Sequence, residues 1–371
     1  MTATVTIPVN RIPFPSPNPD ATLDKDAYFI TIAFNGTRHT VQVDSGSIGI
    51  VVPQSLLVNA DGDPLHGITC LGPAQIVYEP SGLKLLGCYY LIDTSIFPVE
   101  IGGSLDSPQF ACKAGNLVVH GAIMYSNGKS VDGMGMFGIA FGRPPIGYAP
   151  PNESVVYYTT NPFLACQTND GTPLNPSYLL SSSEPYITLG VLPEEFTAGG
   201  GTLIPLAQAP WPSPTNATEV LCNCPTPTPW PNPPHQPVNW TAAPVEVSVS
   251  TVSGGAPIAG TMLLDTGINS MLLGLSDIAN WPPQDLPAGT QIAVSIYRPI
   301  LTAADKPVMS YKFATGSSTN PPETPSEVLP VSGDKTATTP SVFVNTGIRV
   351  LNGYDYYFDS ISGNIGFRAR A

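Results

Sequence analysis

Charge is scarce in this chain. Asp, Glu, Lys and Arg supply 11% of its 371 residues, and 14 basic against 27 acidic side chains leave a formal net charge of -13. No basic block occurs anywhere, which argues against nucleic acid and anionic membrane as partners, because both are bound through clustered Lys and Arg. A surface so poor in ionisable groups changes little when carboxylates protonate, which suits an acidic environment. Long apolar runs are missing as well, and nothing approaches the ~20 consecutive apolar residues of a spanning helix. The opening MTATVTIPVNRIPFP lacks the basic and apolar regions of a secretory leader. Cysteine is limited to Cys70, Cys88, Cys112, Cys166, Cys222 and Cys224, with none in the last third. Six permit three disulfides, with the pairing open. Cys222-Asn-Cys224 has the spacing of two metal ligands, but a zinc site needs more, and of the four histidines only His235 is near in sequence. Disulfides or idle thiols are expected, with no metal and no cofactor.

What the chain does contain is strand pattern. Short alternating or apolar runs such as AYFITIAF (27–34), HTVQVD (39–44), AQIVY (74–78) and LLGCYYLI (85–92) recur in the second half as PVEVSVSTV, QIAVSIY and DYYF. Period-two alternation punctuated by Gly, Pro, Asn and Asp predicts a mostly β fold. Helix signals are few: LSDIANW (275–281), with Ser276 as cap, and PSYLLSSS (176–183) each fit a turn or two. Two lobes are expected, 1–190 and 191–371, the second carrying a Pro-rich insertion at 210–237 that includes Trp211 and Trp230. The stretch 315–340 reads as a surface insertion. Asn35-Gly36 predicts a hairpin turn, and Asp359 a local hairpin-positioning role.

One supersecondary frame occurs twice. VQVDSGSIGIVV (41–52) and TMLLDTGINSMLL (261–273) each run from an apolar strand through Asp, a hydroxyl residue and Gly into another apolar run. A single Asp-x-Gly marks turns in general, whereas two in matching frames point to paired carboxylates. Such a pair, about 3 Å apart, shares one proton: one member stays protonated and the other acts as base. Water between Asp44 and Asp265 would then be deprotonated by one while the other donates to a carbonyl oxygen. Glycine in third place permits the turn and leaves the carboxylate uncovered.

At these residues the chain resembles the pepsin-like, two-lobed aspartic proteases. VDSGSIGIVVP, with Asp44, Ser45, Gly46 and Ser47, is similar to the first catalytic loop, and LLDTGINSMLL, with Asp265, Thr266 and Gly267, to the second. IVYEPSGLKLLGCYYLIDT resembles the flap hairpin, with Tyr78 as its tyrosine. DGMGMFGIAFGRP (132–144), PYITLG (185–190) and VNTGIRVLNGYDYYFDSISGNIGFRARA (344–371) follow in the family's order. The resemblance implies a bilobal β fold, a cleft between the lobes, catalytic Asp44 and Asp265, and Tyr78 hydrogen-bonding near them.

Three departures stand out. In that family a Ser or Thr usually follows each Asp-Thr-Gly and donates to the outer carboxylate oxygen; Ser47 has that hydroxyl, Ile268 does not. A hydrogen bond to a charged group is worth about 1.5–3 kcal/mol, so its loss raises the proton affinity of Asp265 unless another donor substitutes. Glu79-Pro80-Ser81-Gly82 replaces a small, Gly-rich flap turn, and the carboxy-lobe disulfide of many relatives has no cysteines to form it. Three readings stay open: an acid endopeptidase, a cleft repurposed for acid–base chemistry on a small molecule, and an inactive partner-binding relative. The expected partner is a peptide or protein substrate, the expected state a monomer. Sequons at Asn35, Asn152, Asn216 and Asn239 point to glycosylation and to secretion or the secretory-pathway lumen, with an intracellular location left open.

Overall fold

The computed structural model describes residues 3–12, 27–78, 83–103, 109–131, 133, 136–141, 147–148, 157–158, 160–181, 183–184, 186–210, 222, 239–278, 281, 283, 285–297, 306–333 and 339–370. Among them the fold is mostly β and bilobal. The first half builds an eleven-stranded sheet, the second a seven-stranded one, and a six-stranded sheet draws on both ends of the chain. In that bridging sheet Val5–Pro8 and Ser177–Leu180 flank Tyr186–Leu189, and Ser177–Leu180 in turn pairs with Tyr354–Asp359, followed by Asn364–Ala369 and Thr202–Pro205. The last strands of the chain are thereby tied to the first lobe.

Each lobe repeats one arrangement around its aspartate. Thr37–Asp44 and Ile48–Pro53 do not pair directly; Met136–Ile139 lies between them, parallel to the first and antiparallel to the second. In the second lobe Ser341–Asn345 lies in the same way between Ile258–Leu263 and Met271–Ser276. The registers match: Met136 pairs with Gln42 and Asn345 with Leu263, each partner two residues before its aspartate. An inserted strand on one side and sheet neighbours on the other leave the loop backbone little freedom. Tyr178, wholly buried on the bridging sheet, donates its hydroxyl to Ile139 O at 2.8 Å, and Asn161 Nδ2 donates to the same carbonyl at 2.7 Å. The inserted strand of the first lobe is thus braced from behind.

Several local expectations gave way to tertiary context. LSDIANW forms no helix among its described residues: Leu275 and Ser276 end the strand Met271–Ser276, all six residues of which are buried. PSYLLSSS supplies the strand Ser177–Leu180, not helix. Strand neighbours on both sides satisfy the backbone there, and that outweighs weak capping signals. The stretch 315–340 is not purely an insertion, because Val328–Ser332 pairs in parallel with Met271–Ser276 at a sheet edge. Pro330 masks this strand in the sequence, yet an edge tolerates a residue without an N–H. Among the described residues the α-helix is Pro193–Ala198, where the Glu195 carboxylate accepts from the Leu192 N–H at 3.0 Å. Asn35 and Gly36, at φ 45° and 82°, make the tight turn between Ala27–Phe34 and Thr37–Asp44.

Candidate active site

Asp44 ends its strand and Asp265 sits two residues beyond Ile258–Leu263, both nearly buried at 4% and 8% exposure. Each aspartate first closes a local turn: Gly46 N–H donates to Asp44 Oδ1 and Gly267 N–H to Asp265 Oδ1, both at 2.7 Å. The two turns then lock into one another. Ser45 N–H donates to Thr266 Oγ1 at 3.0 Å and Thr266 N–H to Ser45 Oγ at 3.0 Å. Ser45 Oγ in turn donates to Leu264 O and Thr266 Oγ1 to Val43 O, both at 2.7 Å. The hydroxyl residue of each Asp-hydroxyl-Gly turn therefore grips the strand that carries the other aspartate. Gln42 Nε2 adds a bond to Gly267 O at 3.2 Å.

This locking brings the carboxyls together. A methyl group placed on Gly46 would lie 2.3 Å from Asp265 Cγ, and one on Gly267 would lie 2.6 Å from Asp44 Oδ1 and 2.9 Å from Asp265 Oδ1. Only glycine fits at either position. The two carboxyls are close enough for the charge of one to act on the other. Burial pushes the Asp44 carboxyl well above the usual carboxylate range; the neighbouring Asp265 carboxyl acts in the same direction, while the hydrogen bonds from Ser47 and the Gly46 N–H pull it back by less. Asp44 therefore holds a proton where an ordinary aspartic acid has lost it.

The outer oxygens are served by different chemistry in the two lobes. Ser47 Oγ donates to Asp44 Oδ2 at 2.5 Å. Ile268, at the equivalent place after Asp265, has no hydroxyl to give. Instead Asn345 Nδ2 donates to Asp265 Oδ2 at 2.6 Å, and Asn345 Oδ1 accepts from Gly347 N–H at 3.1 Å. Asn345 is 1% exposed, so its amide has given up water for these two partners. The missing donor is supplied from the inserted strand.

The solved structure of an aspartic proteinase from Irpex lacteus is similar to this chain, with a TM-score of 0.49 and 12% identity over 100% of this chain and 98% of that one. No protein-family profile matches the sequence, and no curated protein matches it.

Asn345 is the residue that sequence reasoning missed. VNTG opens the stretch 344–371, but its signal surfaces only when Asn345-Thr346-Gly347 is laid over Met136-Phe137-Gly138. A polar residue then stands where the other lobe has methionine. Of the other expected residues, Tyr78 ends the strand Ile68–Tyr78, paired with Leu83–Ile92 as a hairpin, and the turn Glu79-Pro80-Ser81-Gly82 lies outside the described residues. Cys88 and Cys222 form a disulfide, and Cys70 Sγ lies 3.8 Å from Cys222 Sγ. A disulfide sulfur is a poor metal ligand, so these three sulfurs are no thiolate cage in this form. Cys112 and Cys166 are buried thiols with sulfurs 3.4 Å apart.

Asn35 is exposed in its turn, while Asn239 Nδ2 donates to Pro210 O at 2.9 Å. Cys224, Asn152, Asn216, His235, Trp211 and Trp230 lie outside the described residues, as does all of the insertion 210–237 except Pro210 and Cys222. Asp359 accepts from Ile361 N–H and Ser362 N–H at 3.1 and 3.3 Å, within its hairpin. His66 is exposed. Among the described residues no helix is long and apolar enough to cross a membrane.

Proposed function

We propose that this chain is an acid-acting endopeptidase that hydrolyses peptide bonds with a water molecule activated between Asp44 and Asp265. The observation that carries the reading is the buried carboxyl pair, drawn together by the reciprocal hydrogen bonds of Ser45 and Thr266 across the two lobes. Two carboxyls in contact and out of water share one proton. The ionised member takes a proton from water as the oxygen attacks the peptide carbonyl, and the protonated member donates to the carbonyl oxygen. The tetrahedral intermediate collapses when one carboxyl gives its proton to the leaving nitrogen and the C–N bond breaks, while the other takes a proton from a hydroxyl of the intermediate as the new carbonyl forms, so the pair ends with one proton again. No metal or cofactor enters this cycle, and no covalent intermediate forms on the protein. Because binding energy concentrates on tetrahedral geometry, the test is a peptide carrying a statine-type hydroxyl in place of the scissile carbonyl. Its affinity should exceed that of the deoxy analogue by about 100-fold or more, and Asp265→Asn should erase the difference. Equal affinity for both peptides would reject the reading.

We further propose that the protein works in the secretory pathway or outside the cell as a monomer. The buried Cys88–Cys222 disulfide supports this, since such bonds persist in oxidising compartments. Asn35, exposed in a hairpin turn, is the sequon best placed to carry a glycan.

A further inference from the structure

We propose that Asn345 divides the labour within the carboxyl pair: its amide holds Asp265 as the ionised member, leaving the shared proton on Asp44. This rests on the reading of the pair as a one-proton site, and it adds a positioning residue and a direction to that site.

The argument is geometric. An amide side chain can present either a donor or an acceptor, and here the choice is forced. Gly347 N–H donates to one end of the Asn345 amide at 3.1 Å, so that end is the oxygen, and the nitrogen must face Asp265 Oδ2 at 2.6 Å. Gly347 has φ 65°, and a Cβ there would lie 2.5 Å from Ser270 O, so the N–H that orients the amide is itself held in place. An amide N–H donates and never accepts. Asp265 Oδ1 likewise receives the N–H of Gly267. Both oxygens of Asp265 thus meet N–H groups, which favour a carboxylate over a carboxylic acid.

Asp44 is served differently. Its Oδ1 also receives an N–H, from Gly46, but its Oδ2 meets the hydroxyl of Ser47. A hydroxyl rotates and can accept as well as donate, so a proton on Asp44 Oδ2 keeps its hydrogen bond, whereas a proton on Asp265 Oδ2 would confront an N–H. Among the described residues the ionisable group acting on Asp44 is Asp265, and the side chains hydrogen-bonded at the two turns, Ser45, Ser47, Thr266 and Asn345, are neutral. The asymmetry therefore comes from the donors. A hydroxyl at position 268 would have made the two lobes equivalent; Ile268 with Asn345 makes them unequal, with Asp265 as the base and Asp44 as the acid toward the carbonyl oxygen.

The test reads protonation directly and needs no turnover, so it stands apart from the peptidase reading. The protein is labelled with 13C at aspartate Cγ, and the two signals are assigned with Asp44→Asn and Asp265→Asn. Through the pH range in which the pair holds one proton, wild type should show a carboxylate shift for Asp265 and a carboxylic-acid shift for Asp44. Asn345→Leu, which keeps the volume and removes the donor, should raise the lower midpoint of the pair by about one to two pH units. Ile268→Thr in the Asn345→Leu background returns a donor from the other side and should bring that midpoint back down. A carboxylate shift for Asp44 in wild type overturns the proposal even if Asn345→Leu does not fold, and so does an unchanged midpoint in a folded Asn345→Leu.

Discussion

Ser45 and Thr266, 221 positions apart in sequence, exchange hydrogen bonds in both directions: each backbone N–H donates to the other's hydroxyl at 3.0 Å. Each hydroxyl passes its own proton on to a carbonyl one residue before the opposite aspartate. The two carboxyls are adjacent because the two lobes are cross-linked at this point. Thr266→Val removes the acceptor of Ser45 N–H and the donor to Val43 O in a wholly buried place. The cost should be about 1–3 kcal/mol per group left unpaired, measured by urea unfolding. Ser45→Ala should cost a similar amount, and the double variant less than the sum, because both singles break one network. Additive losses would mean the two turns are held independently.

Gly46 is the tightest point of the site. A methyl group there would lie within 2.5 Å of all three carboxyl atoms of Asp265, so Gly46→Ala must displace that carboxyl. A misplacement of about 1 Å is enough to cost roughly 100-fold in rate. The expected outcome is a loss of at least that size with an unchanged far-ultraviolet spectrum. Wild-type turnover from Gly46→Ala would show that Asp265 is not required where it stands.

His120 limits stability in acid. It is fully buried between the strands Ile48–Pro53 and Leu83–Ile92, and burial pushes its pKa from 6.5 down to about 4, against a smaller upward pull from the Ala74 backbone. The folded state binds this proton less readily than the unfolded state does. Stability is therefore whole above pH 6.5, falls as pH drops toward 4, and loses nothing further from this group below that. The total is about 3 kcal/mol, from the gap between the two values. His120→Leu should flatten the fall, read as urea midpoints at pH 7 and pH 4. An equal fall in both proteins would assign acid sensitivity to other groups.

The Cys88–Cys222 bond closes a span of 134 residues and anchors position 222 to the strand Leu83–Ile92. Loops of that length gain most from cross-linking, and Cys88→Ala should lower stability by about 2–5 kcal/mol. A matching drop in Cys222→Ala would trace the loss to the bond itself; no drop in either variant would mean the span is held by other contacts.

The sequence carries the architecture more openly than the site. The strand runs and the doubled Asp-hydroxyl-Gly frame were legible because each is local: alternation marks a half-buried strand, and a tight turn needs its glycine. The structure brings those two frames face to face through Ser45 and Thr266. Strands at Ser177–Leu180 and Val328–Ser332 were not legible, because serines and a proline speak against strand locally while sheet neighbours decide the outcome. Asn345 was hidden for a related reason. Its partner Asp265 is 80 residues away, and nothing in SVFVN announces that the last residue turns inward to a carboxylate. Ile268 displayed the missing donor plainly; the replacement could be found only by comparing the inserted strands of the two lobes.

The most direct test of the account is cleavage of a randomised peptide library between pH 2 and 7 by wild type, Asp44→Asn and Asp265→Asn, each shown to be folded. Wild type should cleave with an acid optimum, and neither variant should cleave at all. Cleavage that survives in both variants, or its absence from folded wild type across the whole range, would contradict the mechanism.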